Sequence, residues 1–317
     1  MEIKQKGIKE YQKYEPIKDI FVVKYKKPPE KYSKGYMFEL RLADATGEIN
    51  SKYWGPDDKE KVSSLYDKIQ KNSVIKVEGN IKEYKNALEL NLTSILTLVD
   101  QEYDKSQFIK KTSKDTKSMY EILTNAISTI KNPQCKKLLD SFFSDPIFTE
   151  KFKSHTAAIY IHHNTIGGLL EHTSNVLQIC LKLCDLYPSI DRDLVITGAI
   201  LHDIGKLKEL EFKSSIYATE EGRLIGHLVI SYEMISKKLE ELKIEGTIKN
   251  KILHTIVAHH GKKENGSPKE PMFPEAMCIY LADDMDAKIA HMLSLKETAF
   301  TDDDFIYSKE FGNIFLK

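Results

Sequence analysis

The apolar residues of this chain change their period once, near residue 100, and that change requires two halves of different construction. Before it they alternate singly. Phe38, Leu40 and Leu42 are separated by Glu39 and Arg41, and Ile75, Val77, Gly79 and Ile81 by Lys76, Glu78 and Asn80. Leu88, Leu90 and Leu92 repeat the pattern around Glu89 and Asn91. A period of two turns one face of a strand to a core and the other to water, which a helix cannot do. It predicts strands near 19–25, 36–44, 47–54, 74–83 and 87–99, with a hairpin turn at Asp44-Ala-Thr-Gly47 and a helix over 57–71. From residue 118 the spacing becomes three and four, as in Met119, Ile122, Leu123, Ala126, Ile127 and Ile130. Further stripes near 134–144, 168–186, 192–203, 224–242, 246–260 and 272–293 predict an all-helical second half.

Five short strands with one helix between the third and fourth is the order expected of an OB-fold barrel. Residues 101–117 lose all periodicity and hold five lysines. The expected organisation is multidomain: an all-β OB-fold nucleic-acid-binding barrel over 1–104, a basic linker over 105–117 and an all-α domain over 118–317. Hydrophobic residues at 41% and charged residues at 30% are enough for a core in each. The net charge is zero, yet residues 1–117 carry 24 Lys and Arg against 19 Asp and Glu, while the remainder carries 23 against 28. That split fits a polyanion-facing module joined to one that concentrates carboxylates. No apolar run reaches the roughly 18 residues of a membrane span. The polar start of the chain lacks a secretion-signal core, and its four cysteines form no CxxC pair. The expected setting is soluble and cytoplasmic.

Nine of the ten histidines fall between residues 155 and 260. His202-Asp203-Ile204-Gly205-Lys206 ends the helix ITGAILHDIGK. His172 precedes Val176, Ile179 and Leu183 at helical spacing, which turns it toward the core side. His227 lies in LIGHLVIS, Asp283 in YLADDMDAK, and His259-His260 follow Ile252 and Ile256, so at least one of that pair points inward. Buried imidazoles and carboxylates are costly unless each gains partners, and metal coordination compensates several of them together. Nitrogen and oxygen ligands without thiolate suit Mn, Fe, Mg or Zn ions held for hydrolysis rather than for structure.

His172, then His202-Asp203, then a late Asp283 resembles the HD superfamily of metal-dependent phosphohydrolases. The additional His227 and His259-His260 look like the members that bind two metals. The resemblance implies that Asp203 bridges two divalent ions, with His172, His202 and Asp283 completing one site and His227, His259 and His260 the other. The Ala-Asp-x-x-Asp-Ala spacing makes Asp283 the better ligand candidate, since Asp284 lies about 100° around the helix. Asp286 shares the Asp283 face and would support from behind. Two such ions clamp a phosphodiester and activate water, and Lys206 beside Asp203 would add a fixed positive charge to the transition state, so both are catalytic candidates.

The stretches HHNTIGGLLEHT (162–173), YPSIDRDLVITGAILHDIGK (187–206), YATEEGRLIGH (217–227), IVAHHGKKENGSP (256–268) and LADDMDAK (281–288), behind an OB-like module, resemble the YhaM-type 3′→5′ exoribonucleases over nearly the whole chain. The resemblance implies metal-dependent trimming of single-stranded RNA to nucleoside 5′-monophosphates, while single-stranded DNA as a further substrate stays open. It also implies that His162 and His163 line the substrate path. In the OB-like module Tyr53, Trp54 and Tyr84 are candidates for stacking on bases. Two rivals stay open at this point. One is an HD enzyme acting on a small nucleotide or cyclic dinucleotide, although Gly261-Lys262-Lys263 lacks the Gly-Tyr-Pro signature of the latter group. The other is a non-catalytic nucleic-acid-binding protein. Metal identity and a homo-oligomeric state are also open.

Overall fold

The computed structural model describes every residue except 85–86, 100, 160–162, 213–214, 300–302 and 317. Contacts divide the chain into two compact units, residues 1–110 with 212–216 and residues 111–211 with 217–317. The first is built on five strands, β1 (Pro16–Tyr32), β2 (Gly35–Ala43), β3 (Glu48–Trp54), β4 (Val74–Tyr84) and β5 (Ala87–Thr97). They close into a barrel in the order β1-β2-β3-β5-β4, with β3 and β5 the parallel pair. Helix α1 (Lys59–Lys68) lies between β3 and β4, capped by the Asp58 side chain. This is the OB-fold expected from the sequence.

All but one of the alternating residues do what their period demands, the exception being Leu88, which is exposed near the start of β5. Phe38, Leu40, Leu42, Ile75, Val77, Ile81, Leu90 and Leu92 are all buried in one barrel core. The β2–β3 turn is held by the Asp44 carboxylate, whose Oδ1 accepts from the backbone N–H groups of Thr46 (2.7 Å) and Gly47 (3.1 Å). Strand β1 runs seven residues beyond its expected end. Its register shifts between Val23 and Tyr25 and again between Lys27 and Glu30. The second shift absorbs Pro28-Pro29, which cannot donate to a ladder, so the polar stretch KYKKPPEKY is strand without alternation.

The segment expected to be a basic linker is packed. Phe108 and Ile109 are each only 6% exposed, and Phe108 joins Ile20, Val22, Leu98 and Tyr103 in a second cluster on the barrel. Farther on, Lys111 bridges to Ile166, and Thr112 Oγ1 donates to Glu171 at 2.5 Å. Two apolar residues among five lysines are too few to show a period, yet they suffice to dock the chain.

The second unit contains α2 (Thr116–Ser128), α3 (Pro133–Phe143), α4 (Pro146–Ser154), α5 (Gly168–Leu186), α6 (Arg192–Leu201), α7 (Lys206–Glu209), α8 (Glu220–Leu224), α9 (His227–Glu241), α10 (Gly246–Ala258) and α11 (Pro274–Thr298). It is not wholly helical. The strand pair β6–β7 (Leu210–Phe212 and Ile216–Ala218) is divided, with Phe212 and Ile216 grouped with the first unit, and the pair β8–β9 (Phe305–Ser308 and Gly312–Phe315) lies within the second. Strands of three and four residues are too brief to display alternation. Helix α6 is the centre of this unit: every residue from Leu194 to Leu201 is buried. Among the described residues, no helix is long and apolar enough to cross a membrane.

Candidate active site

Helix ends bring the titratable residues together. Helix α5 starts from Gly167 (φ +85°) and Gly168, where a Cβ would lie 2.0 Å from the His163 carbonyl oxygen, and its second turn carries His172. The buried α6 delivers His202 and Asp203 at its C-terminal end. Gly205 follows, and a Cβ there would lie 2.3 Å from the His227 carbonyl oxygen. Its N–H donates to Ser231 Oγ at 2.8 Å, which pins the start of α9, and so His227, beside Asp203. Helix α10 ends at His259-His260, and Asp283 projects from α11. His172, His202, Asp203 and His259 are all at most 2% exposed.

All five imidazoles are oriented alike. His172 Nδ1–H donates to Asp286 Oδ2 (2.7 Å), His202 Nδ1–H to the Ala199 carbonyl (2.9 Å) and His259 Nδ1–H to the Ile256 carbonyl (2.6 Å). His227 Nδ1–H donates to Glu209 Oε1 (3.0 Å), and His260 Nδ1–H to the Asn265 carbonyl (3.2 Å). Each ring therefore turns its Nε2 lone pair inward. There the atoms crowd: His172 and His202 Nε2 are 3.2 Å apart, and His227 and His260 Nε2 are 3.1 Å apart. Two lone pairs at that distance repel unless a cation or proton lies between them.

Asp203 divides the crowd. Its Oδ2 lies 3.4 Å from both His172 and His202 Nε2, whereas its Oδ1 lies 3.5 Å from His227 Nε2 and 3.6 Å from His259 Nε2. Asp283 Oδ1 joins the first group at 3.1 Å from His172 Nε2. Asp203 Oδ1 and His259 Nε2 are buried without a hydrogen-bond partner. Orphaned atoms of this kind, aimed at one another and drawn from imidazole and carboxylate, fit divalent cations. His172, His202 and Asp203 form one group that could hold an ion, and His227, His259 and His260 another.

The electrostatics agree with that use. Burial, reinforced by His259 and His227, depresses His260 to about 4, and burial also lowers His259, so both rings are neutral donors at pH 7. Burial alone would lift Asp203 and Asp283. Lys206 and His202 pull Asp203 well below the usual carboxylate range, and His172 does the same for Asp283. Burial would lower His172, but Asp203, Asp283 and Asp286 raise it, so protons compete with cations for its Nε2. Lys206 Nζ sits 2.6 Å from Asp203 Oδ2, and despite burial the Asp203 and Asp283 carboxylates keep it an ammonium.

His172, His202, Asp203, Lys206, His227, His259, His260 and Asp283 are thus brought to one place. Asp284 is not part of that cluster and pairs with Lys288 at 2.8 Å. Asp286 braces from behind: Oδ1 accepts from Asn175 Nδ2 (2.8 Å), and Oδ2 meets His163 Nε2 (2.9 Å) as well as His172. The expectation that His163 lines the substrate path is corrected by that bond. Its side chain, 5% exposed, is turned inward between Asp286 and Glu171 and supports His172. His162 lies outside the described residues. Two residues were missed. Glu209, in the four-residue α7, holds both the Nδ1 and the backbone N–H (3.1 Å) of His227. His155, lowered by burial to about 4, bonds the Lys206 (2.9 Å) and Leu210 (3.1 Å) carbonyls and so fixes the turn that presents Lys206. Neither carries a periodic signal, because α7 is too short and His155 stands in a loop.

In the barrel the three aromatic candidates separate. Tyr53 stacks on the buried Phe38 (centroids 5.1 Å) and belongs to the core edge. Trp54 is 44% exposed, with its indole N–H on Asn91 Oδ1 (2.7 Å) and Tyr32 edge-on at 4.9 Å. Tyr84 is 57% exposed, with Lys52 Nζ 5.2 Å from its ring.

A cavity of about 750 Å³ opens onto the helical cluster, and its lining includes Lys206, His227, His259, His260, Asp283 and Tyr280. Comparisons with known proteins agree with both units. Residues 169–288 match the HD domain family and residues 22–98 the OB-fold nucleic acid binding domain family. The chain is 34% identical over 254 residues to the 3′-5′ exoribonuclease YhaM of Bacillus subtilis (strain 168), covering 80% of this chain and 79% of that protein. It is 34% identical over 288 residues to the protein of the same name from Geobacillus sp. (strain WCH70), covering 90% and 86%. A third, from Halalkalibacterium halodurans, is 33% identical over 291 residues, covering 90% and 88%.

Proposed function

The chain belongs to the YhaM family of 3′-5′ exoribonucleases and is a hydrolytic nuclease, and from that premise we propose that it trims single-stranded RNA from the 3′ end at a two-metal centre, releasing nucleoside 5′-monophosphates. The observation that carries the proposal is the division of Asp203, whose two oxygens face two separate groups of Nε2 atoms. His172, His202, Asp283 and Asp203 Oδ2 would hold one divalent ion, and His227, His259, His260 and Asp203 Oδ1 the other. Mn²⁺ is the ion we favour for this mixture of imidazole and carboxylate, ahead of Fe, Mg²⁺ or Zn²⁺. When bound, such ions polarise the scissile phosphate and make water nucleophilic near neutral pH.

The chain's own groups do the rest. The acceptors on each Nδ1 hold the five rings in a single tautomer, so no ring must turn when substrate arrives. Lys206, kept an ammonium by two carboxylates, presents a fixed positive charge to a non-bridging phosphate oxygen as charge builds there. Lys206→Ala should lower turnover by about 10²–10³-fold with metal content unchanged, as measured by single-turnover cleavage beside elemental analysis. The barrel serves as a single-strand guide, with Trp54 and Tyr84 offering ring faces to passing bases. Stacking reads no sugar, which makes single-stranded DNA a second substrate of the same path.

The test uses purified protein, Mn²⁺ and a single-stranded RNA labelled at its 5′ end. A ladder that shortens from the 3′ end, and that EDTA prevents, supports the proposal. An RNA left intact, with turnover instead on a free nucleotide, would overturn it.

A further inference from the structure

Tyr280 lines the same cavity as the histidine cluster, yet nothing above uses it. It stands on α11 three residues before Asp283, about 4.5 Å along the helix axis, and Ala287 follows seven residues after it on the same face. Its ring is seated on Gly261, the residue immediately after His259-His260. Gly261 has φ +76°, and a Cβ there would lie 2.2 Å from Tyr280 Cε2. A side chain at 261 would therefore both strain the backbone and evict the ring. The same lining carries the small residues Ala157, Ala158, Ala218 and Ala287, together with Ile159, Leu210 and the carboxylates Asp284 and Glu310. Among the described residues, no hydrogen bond engages the Tyr280 hydroxyl.

The cavity thus has two unlike ends. One is built from imidazoles, carboxylates and Lys206 and suits a phosphate. The other is the Tyr280 ring, three residues before Asp283 on α11, and suits the face of a planar group. A nucleotide has both parts in that order. We infer that Tyr280 is a binding platform for the base of the 3′-terminal nucleotide, positioning its phosphodiester at the cluster. The inference rests on the nuclease reading and adds the subsite that seats the chain end. Because every base has a ring face, the platform holds any terminal base and reads no sequence.

The test compares two RNAs, one ordinary and one lacking only its 3′-terminal base, on wild-type, Tyr280→Phe and Tyr280→Leu proteins. Stacking on one aromatic side chain is worth enough to change binding by about tenfold or more. The wild-type and Tyr280→Phe proteins should therefore prefer the ordinary RNA by that factor in KM, and Tyr280→Leu should not distinguish the two. A second readout needs no turnover: 2-aminopurine as the terminal base, in EDTA, should be quenched by the wild type and not by Tyr280→Leu. Wild-type protein that treats both RNAs alike overturns the platform, whatever the variants do. Normal trimming without quenching overturns the platform and leaves the nuclease standing. Tyr280-dependent quenching without trimming does the reverse.

Discussion

In the barrel, the buried carboxylate of Asp19 is surrounded by donors. Tyr11 Oη–H (2.5 Å) and Lys4 Nζ (2.8 Å) reach one oxygen, and the backbone N–H groups of Gln5 (2.9 Å) and Ile20 (2.8 Å) reach the other. Lys4 also lies 3.3 Å from Asp44 and 3.7 Å from the centre of the Phe21 ring, so this clasp is closed on itself. In the helical unit, Asp203 is equally buried, yet one of its oxygens has no hydrogen-bond partner and its neighbours are lone pairs. The same physical expense, taking charge out of water, is met fully within the chain in one unit and only in part, by Lys206, in the other. That difference separates a structural network from a working one, and burial alone does not reveal it.

Substitutions can break or sharpen the contrast. The largest effect is expected from Asp203→Ala, which should abolish RNA turnover and lower the thermal midpoint less than Asp19→Ala does, because one of its oxygens is unsatisfied and only the other pairs with Lys206. Activity retained together with a collapsed midpoint, read by calorimetry and a cleavage gel, would put Asp203 in the structural class. Asp19→Ala should do the opposite and cost about 3–5 kcal/mol of barrel stability, by leaving Lys4 with Asp44 alone and the Tyr11 hydroxyl and the Gln5 and Ile20 N–H groups without their acceptor. Trp54, the one tryptophan, lies in the barrel, so denaturant titration followed by its fluorescence isolates that unit.

A smaller effect follows from Glu209→Ala, which frees the His227 ring. Metal affinity at the His227–His260 side should fall about 10–100-fold while the other side is unchanged, as Mn²⁺ titration would resolve. Equal loss at both sides would mean that Glu209 acts through the fold. The smallest effect concerns pH. Burial pushes the Asp19 carboxyl up, but Lys4, Tyr11 and Gln5 more than offset it, so the folded value lies below the ordinary one. The stability it contributes is therefore complete at neutral pH and is lost as pH falls below about 4 through the folded value. Asp19→Asn should flatten that acid limb in the same fluorescence titration.

The parts legible in the sequence are those written in long periods. His172, His202, His227, His259, His260 and Asp283 each adjoin or stand on a helix with a clear apolar stripe, and the choice of Asp283 over Asp284 needed only the helical angle. What holds those rings was not legible. Three of the five Nδ1 acceptors are backbone carbonyls, at Ala199, Ile256 and Asn265, which any residue could supply. The others, Glu209 and Asp286, reach across from other segments, and only Asp286 shared a face with a candidate. His163 and Tyr53 each have a partner that was not legible, for a related reason. Residue type suggested exposure to substrate, while the partner that claims each side chain, Asp286 or Phe38, lies far away in sequence.

The Nδ1 acceptors have one more consequence. Because protein atoms, rather than any ion, aim the five imidazoles, the centre is a socket with fixed contacts. Swapping one divalent ion for another demands no refolding, only passage through the cavity. Under the two-metal reading, any divalent ion that enters would meet rings already aimed, so the surroundings as well as the donor set would decide which ion is held.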